Sequence, residues 1–111
     1  MERDPTVTDP QLYKVLLEDD RVRVLQYIDR LGDRTESHDN PDSVLITLSN
    51  FRRRLTVGDR TIDVEKSPPE VIWNPAQTHV GENTGTTGTD VIFVDSSESA
   101  PLAVGKPLTV F

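Results

Sequence analysis

Proline and glycine interrupt this sequence so often that no long helix fits between them. Eight prolines and six glycines fall among its 111 residues, and both residue types end regular helices and strands. The runs between them are short and rich in Val, Ile, Leu and Thr, which favour half-buried strands. The chain is therefore predicted to be all-β, with seven or eight short strands arranged as a sandwich or a barrel.

Two turn signals place the clearest strands. Glu18-Asp19-Asp20 separates an apolar run at 12–17 from a second run at 21–28, which is typical of a β-hairpin. Gly58-Asp59-Arg60 similarly separates a strand at 51–57 from one at 61–65. Further strands are predicted at 44–48, 71–73 and 91–95, with loops at 31–43 and 84–89. The segment 96–111 begins polar and ends apolar, so it is expected to add an edge strand or to pack on a neighbour.

Length and composition limit the classes of function. The chain has the size of a single domain, with its core at about 12–95 and extensions at 1–11 and 96–111. The formal net charge of −7 disfavours nucleic acid and anionic membranes as partners. The absence of cysteine excludes disulfides, thiolate metal sites and cysteine nucleophiles. The N-terminus lacks an apolar signal segment and no run is long enough to span a membrane, so a cytoplasmic location is expected.

The two histidines of the chain lie in two distinctive segments. In the first, Gly32 is followed after five residues by His38, and Asn40 stands two positions later. In the second, running from 75 to 83, His79 is followed after three residues by Asn83. The order and spacing of these segments, and the strands between them, resemble the two motifs of the cupins over residues 13–95. This resemblance implies a double-stranded β-helix, the jelly-roll barrel of that family.

The resemblance also implies a divalent transition metal inside the barrel, held by three histidines and a glutamate. His38 and His79 match two of these ligands, whereas Asn40 stands where the family has another histidine, and no carboxylate aligns near 43–45. Asp42 or Glu36 could substitute for the carboxylate, and Asn40 could offer an amide oxygen. We expect both histidines to point into the barrel without holding a metal tightly; if a metal binds, they are its candidate ligands.

Strand alternation extends the site beyond the histidines. In a regular strand, Trp73, Gln77 and Asn83 share the face of His79 and would give a pocket one apolar wall and several hydrogen-bonding groups. The alternative for Trp73 is that it plugs one end of the core. Counting in the same way from His38 places residues 40, 42, 44, 46 and 48 on one inward face. The predicted ligand-binding residues that follow are Asn40, Trp73, Gln77, Asn83 and Gln26.

Gln26 and the basic cluster at 52–54 each have two interpretations, and one acidic residue is expected outside the pocket. Gln26 lies among valines and could point inward, or it could touch solvent at a sheet edge. The cluster at 52–54 is interpreted as a solvated face paired with acidic residues, although Arg53 or Arg23 could instead bind the carboxylate of a ligand. Glu82 has the opposite parity to His79 and is expected outside the pocket.

Three hypotheses for function remain open. The first is a cupin that binds a small organic molecule and catalyses proton transfer in specialised metabolism, as in an isomerisation, cyclisation or lyase step. His38 or His79 would then be the acid or base, Trp73 the apolar wall, and Gln77 and Asn40 the orienting groups. The second is a metal-dependent dioxygenase or isomerase using the two histidines as ligands. The third is a non-catalytic binding module. The family resemblance also makes a homodimer an expectation.

Overall fold

Two antiparallel sheets face each other in the computed structural model of this protein, which describes residues 4–96. In chain order the strands are β1 (Tyr13–Glu18), β2 (Val22–Ile28), β3 (His38–Asn40), β4 (Ser43–Thr47), β5 (Phe51–Val57), β6 (Arg60–Lys66), β7 (Val71–Asn74), β8 (Gln77–Asn83) and β9 (Asp90–Ser96). One sheet has the order β1-β2-β9-β4-β7 and the other β3-β8-β5-β6. The all-β prediction is confirmed, with nine strands among the described residues rather than seven or eight.

Both predicted turns form. Asp19 accepts hydrogen bonds through Oδ1 from the backbone N–H groups of Arg21 (2.7 Å) and Val22 (2.9 Å), which closes the β1–β2 hairpin. Gly58 has a φ of +63°, a left-handed conformation that glycine adopts without a steric penalty, and it joins β5 to β6. Before β1, Asp4 caps a single helical turn, α1 (Pro5–Thr8), by accepting from the N–H of Thr6 at 2.8 Å.

The space between the sheets is filled by alternate residues of the central strands. Leu25 and Tyr27 of β2 point inward and are almost fully buried, whereas Gln26 between them lies on the outer face and donates to Asp90 Oδ1 at 2.9 Å. The prediction that Gln26 points inward is therefore wrong, because Leu25 and Tyr27 turn the opposite face of β2 to the core. The buried apolar cluster consists of Tyr13, Leu25, Tyr27, Phe51 and Val91.

Alternation fails at two points where the chain crosses from one sheet to the other. Pro41 and Asp42 separate β3 from β4, so the residues of β4 that face inward are Ser43, Leu45 and Thr47 rather than 44 and 46. Pro75 and Ala76 separate β7 from β8 in the same way, and the continuous strand predicted from 73 to 83 is two strands in different sheets. A crossing adds residues that belong to neither strand, and each crossing here reverses the inferred faces.

The predicted role of the C-terminal segment, an edge strand or packing on a neighbour, lies outside the described residues. Within 4–96, no helix has the length and apolar character needed to cross a membrane.

Candidate functional site

The two histidines are neighbours across a strand pair. His38 on β3 is directly opposite His79 on β8. Their ring centroids are 4.9 Å apart and the rings meet edge to face at 78°. Both side chains line one cavity between the sheets. The prediction that both histidines point into the barrel agrees with this placement.

His38 is completely buried and held in one orientation. Its Nδ1 lies 2.8 Å from the carbonyl oxygen of Glu36, and because a carbonyl only accepts, Nδ1 carries the proton. Asp9 Oδ2 lies 3.7 Å from the same nitrogen. The other nitrogen, Nε2, carries a lone pair and accepts only a long hydrogen bond, of 3.5 Å, from the hydroxyl of Tyr13. Burial lowers the pKa of His38, while the Glu36 carbonyl and Asp9 act in the opposite direction.

His79 is held by the asparagine that replaces the expected third histidine. Asn40 Nδ2 lies 3.1 Å from His79 Nε2, and because an amide NH₂ only donates, Nε2 is the acceptor. A neutral ring then carries its proton on Nδ1, which is buried and has no hydrogen-bond partner among the described residues. Burial, together with the proximity of His38 and Arg53, lowers the pKa of His79 to about 4. His79 is therefore neutral at pH 7 and presents an unused N–H donor.

The cavity has a volume of about 210 Å³. Its walls are mainly apolar, and apart from two tyrosines its polar side chains come from five different strands and two loops. By comparison, a cavity of about 150 Å³ is enough to hold benzene, so this one can take a single substituted ring. The residues that line it are Tyr13, Tyr27, Thr35, His38, Leu45, Phe51, Arg53, Leu55, Val64, Lys66, Ile72, Asn74, His79, Gly81, Thr89, Val91 and Phe93.

Arg53 contributes a buried cation to this wall. Its Nη1 forms an ion pair with Asp29 Oδ2 and donates to Thr89 Oγ1 at 3.2 Å, and its guanidinium lies 4.9 Å from the ring centroid of Tyr27. Burial acts to raise the pKa of Asp29, but hydrogen bonds from Tyr27 and Asn83 and the charge of Arg53 hold it below its usual value. Arg53 and Asp29 are therefore both charged.

The predicted ligand-binding residues divide into those near the cavity and those away from it. Asn40 lies beside His79, as described. Asn83 is buried, but it donates to Asp29 Oδ1 and to the carbonyl of Thr87, both at 2.9 Å, so its amide supports the Arg53 network. Gln77 shares a face with His79 and donates to Asn74 Oδ1 at 3.3 Å, without lining the cavity.

Trp73 lies outside the cavity, and its predicted place as the apolar wall is wrong. Its side chain is 44% exposed on the outer face of β7, and its neighbours Ile72 and Asn74 line the cavity instead. The crossing at 75–76 is the cause. The alternative, that Trp73 plugs one end of the core, is wrong for the same reason.

Several cavity residues were missed from sequence. Tyr13 and Thr35 carry no motif, and their places in the cavity depend on contacts across the fold, with His38 and Gly81 respectively. Arg53 was named only as an alternative, although it had a usable signal: in a strand it shares a face with Phe51 and Leu55, which marks it as the inward member of the cluster 52–54. Arg52 and Arg54 form exposed ion pairs with Glu65 and Asp63, both at 2.9 Å, so the solvated interpretation is confirmed for these two.

The residues present do not fit the metal cage that the fold family implies. Between residues 4 and 96, no three His, Cys, Asp or Glu side chains are grouped so that they could hold a metal ion. His38 Nδ1 is committed to a carbonyl oxygen, His79 Nε2 faces the amide NH₂ of Asn40, and the nearest carboxylate to His38, Asp9, lies on its protonated side. We therefore derive no chemistry through a metal.

Comparison with solved structures identifies the fold. A cupin domain from Bordetella pertussis Tohama I superposes with a TM-score of 0.73 at 16% identity, over 78% of this chain and 92% of that one. An RmlC-like cupin with a double-stranded β-helix from Methanocaldococcus jannaschii gives 0.63 at 14%, over 78% and 79%. The polyketide cyclase RemF from Streptomyces resistomycificus gives 0.58 at 20%, over 80% and 66%.

No protein-family model and no curated protein sequence matches this chain. The structural matches show that it has the cupin double-stranded β-helix fold, as the sequence motifs predict. At these identities they show the fold alone, so function has to be argued from the site.

Proposed function

We propose that this protein binds a compact carbonyl compound in the cavity beside His38 and His79 and catalyses a proton transfer at the carbon next to the carbonyl. The observation that carries the proposal is the buried Nδ1 of His79, which has no hydrogen-bond partner among the described residues and belongs to a ring that lines the same cavity as His38. A buried donor without a partner costs free energy in the unliganded protein, and a ligand oxygen would remove that cost.

The two histidines differ in what each can do. His38 presents a lone pair on Nε2, while its Nδ1–H is held by the Glu36 carbonyl with Asp9 nearby. This arrangement orients the ring and stabilises the imidazolium that forms when Nε2 takes a proton, as a base requires. His79 presents an N–H and is neutral, so it can polarise a carbonyl oxygen without surrendering a full proton.

These roles define one balanced step. His38 Nε2 removes a proton from the carbon next to the carbonyl, and the C–H electron pair becomes the carbon–carbon double bond of an enolate. The carbonyl π pair moves onto oxygen, where the His79 Nδ1–H stabilises the charge. Returning the proton to a different atom gives an isomer. Attack by the enolate carbon on a second carbonyl gives a ring, with the π pair of that carbonyl moving onto its oxygen, which takes the proton from His38. That RemF, a structure with the same fold, is a polyketide cyclase is consistent with this class of chemistry.

Isotope exchange tests the proposal without knowledge of the natural substrate. Two enolisable probes of one-ring size, phenylacetone and phenylpyruvate, are incubated with the protein in D₂O, and the loss of the α-proton signal is followed by NMR. We expect accelerated exchange of at least one probe, reduced about 100-fold or more in His38→Gln, in keeping with the usual contribution of a general base.

A matched control is Thr78→Ala, which changes an exposed residue adjacent to His79 on β8. This variant should retain the wild-type exchange rate. Exchange at the uncatalysed rate with both probes, or equal exchange by wild type and His38→Gln, would show that the proposed function is wrong.

A further inference from the structure

The cavity wall is cationic in a protein whose net charge is −7. The charged residues that line it are Arg53 and Lys66, and no Asp or Glu of residues 4–96 lines it. The chain contains 19 acidic residues, and those within the described part of the chain are directed elsewhere. A ligand in this cavity therefore meets positive charge and hydrogen-bond donors, but no carboxylate.

Arg53 directs an unused edge of its guanidinium along β8. Its hydrogen bonds to Asp29 and Thr89 are made by Nη1. The other terminal nitrogen, Nη2, lies over Gly81. A Cβ added to Gly81 would come much closer to Nη2 than the van der Waals contact distance of the two atoms. Glycine at this position is thus what allows the guanidinium to lie flat against the strand.

Asp29 pairs with Arg53 through one terminal nitrogen of the guanidinium. Its carboxylate does not line the cavity and is fully buried, where it also accepts from the Tyr27 hydroxyl (2.5 Å), Asn83 Nδ2 and the Thr89 N–H (both 2.9 Å). Asp29 thus shares its negative charge among four groups rather than with Arg53 alone. Asp29 therefore holds the guanidinium in place and leaves its far edge facing the cavity.

Lys66 places a second cation at the cavity mouth. It pairs with Phe51 across β5 and β6, and its side chain lines the cavity while remaining 30% exposed. Its nearest carboxylate is Glu70 at 3.8 Å, a weak surface pair. A cation in this position attracts anions toward the opening.

We propose that the ligand is a compact keto acid whose carboxylate is bound by Arg53 and whose ketone oxygen is bound by His79. Gly81, beneath Arg53 Nη2, is two residues from His79 on the same face of β8, a distance of about 7 Å along a strand. A short keto acid spans two donors at this separation. This inference rests on the proposed function, because it uses the same cavity and the same donor on His79.

Benzoate and benzamide provide the test, since they have nearly the same shape and differ in charge. Dissociation constants are measured for both by NMR titration in wild type, Arg53→Met and Arg52→Met. Benzoate should bind wild type about tenfold tighter than benzamide, the difference expected between charged and neutral hydrogen bonds. Arg53→Met should lose this preference and Arg52→Met, an exposed neighbour on the same strand, should keep it.

Gly81→Ala provides a second test of the same contact in case Arg53→Met does not fold. It keeps the cation but displaces Nη2, and it should weaken benzoate binding about tenfold while leaving benzamide binding unchanged. Equal affinities of wild type for the two probes, or loss of the benzoate preference in Arg52→Met as well, would overturn the keto-acid proposal and leave the proposed function standing. If neither probe bound and phenylacetone and phenylpyruvate exchanged at the uncatalysed rate, both would fall.

Discussion

His38 and His79 are paired directly across β3 and β8, so each ring forms part of the environment of the other at 4.9 Å between centroids. Two imidazoles at this separation cannot both become charged without strong repulsion. The pair therefore stays neutral near pH 7, with Nδ1 of each ring carrying its proton. In this state His38 Nε2 accepts only the long hydrogen bond from Tyr13, and His79 Nδ1 is a donor without a partner among the described residues.

The stability of the protein should depend on pH through His79. Its pKa is about 4 in the folded protein and about 6.5 in an unfolded chain, so between these values the unfolded state binds more protons. The free energy of unfolding should therefore fall as the pH is lowered through this range. The contribution of His79 to this fall should be on the order of 3 kcal/mol. Urea denaturation of wild type and His79→Gln at several pH values measures the effect, and an identical pH dependence for both would contradict it.

Asp95 should have the opposite dependence. Burial raises its pKa to about 6 against the attraction of Arg23, whose nearer partner is Asp4 at 2.8 Å rather than Asp95 at 3.4 Å. The folded state thus binds a proton that the unfolded chain has lost, and stability declines as the pH rises from 3.8 to 6. Asp95→Asn should raise the free energy of unfolding at pH 8 by roughly 3 kcal/mol and should bring little gain at pH 4.

The exposed Asp63→Asn is the control for Asp95→Asn. It should give no comparable difference between the two pH values, because Asp63 pairs with Arg54 at the surface. A stability gain of Asp95→Asn that was as large at pH 4 as at pH 8 would show that the ionisation of Asp95 is not its source.

Arg53 and Arg52 should differ sharply in their contribution to stability. Arg53→Met leaves Asp29 buried and unpaired, which typically costs about 3–5 kcal/mol. Arg52→Met removes an exposed pair with Glu65 and should cost at most about 1 kcal/mol. Chemical denaturation of the two variants measures both values, and similar losses would contradict the buried position of Arg53.

Trp73, the single tryptophan, should report on the surface rather than on the cavity. Acrylamide should quench its fluorescence to the same extent with and without phenylpyruvate, since the side chain lies on the outer face of β7. Trp73→Phe should change stability by less than about 0.5 kcal/mol, as for most surface substitutions, and should leave probe binding intact. Protection of Trp73 from acrylamide by bound phenylpyruvate would place it in the cavity after all.

The sequence was sufficient for the fold class because most strands carry their own local signal. An exception is β3, whose three residues lie in the segment 31–43 that was predicted as a loop. Turn residues at 18–20 and 58–60 mark two hairpins, and the His38 and His79 motifs place both histidines on facing positions. The face of Gln26 was wrong even though β2 is continuous, because that strand offered no motif residue from which to count. Faces counted from His79 were correct along β8, where Asn83 is buried. They failed for Trp73 because alternation carries no information across a crossing such as 75–76.

The rest of the site depends on contacts that no local pattern encodes. Tyr13 approaches His38 from 25 positions earlier in the chain, and Asp29 reaches Arg53 from another sheet. The predicted absence of a tightly held metal and the expected homodimer stay predictions. The chemical argument for the site comes from the unpartnered Nδ1 of His79, which only the folded arrangement reveals.

The ¹⁵N resonances of the two imidazole rings test the central claim most directly. In histidine-labelled protein at pH 7, we expect two neutral rings, each protonated on Nδ1, and saturation with phenylpyruvate should shift His79 Nδ1 and His38 Nε2. Thr78→Ala should give the same shifts. A positively charged ring in the free protein at pH 7, or resonances unchanged when phenylpyruvate is bound, would contradict the assignment of His38 as base and His79 as donor.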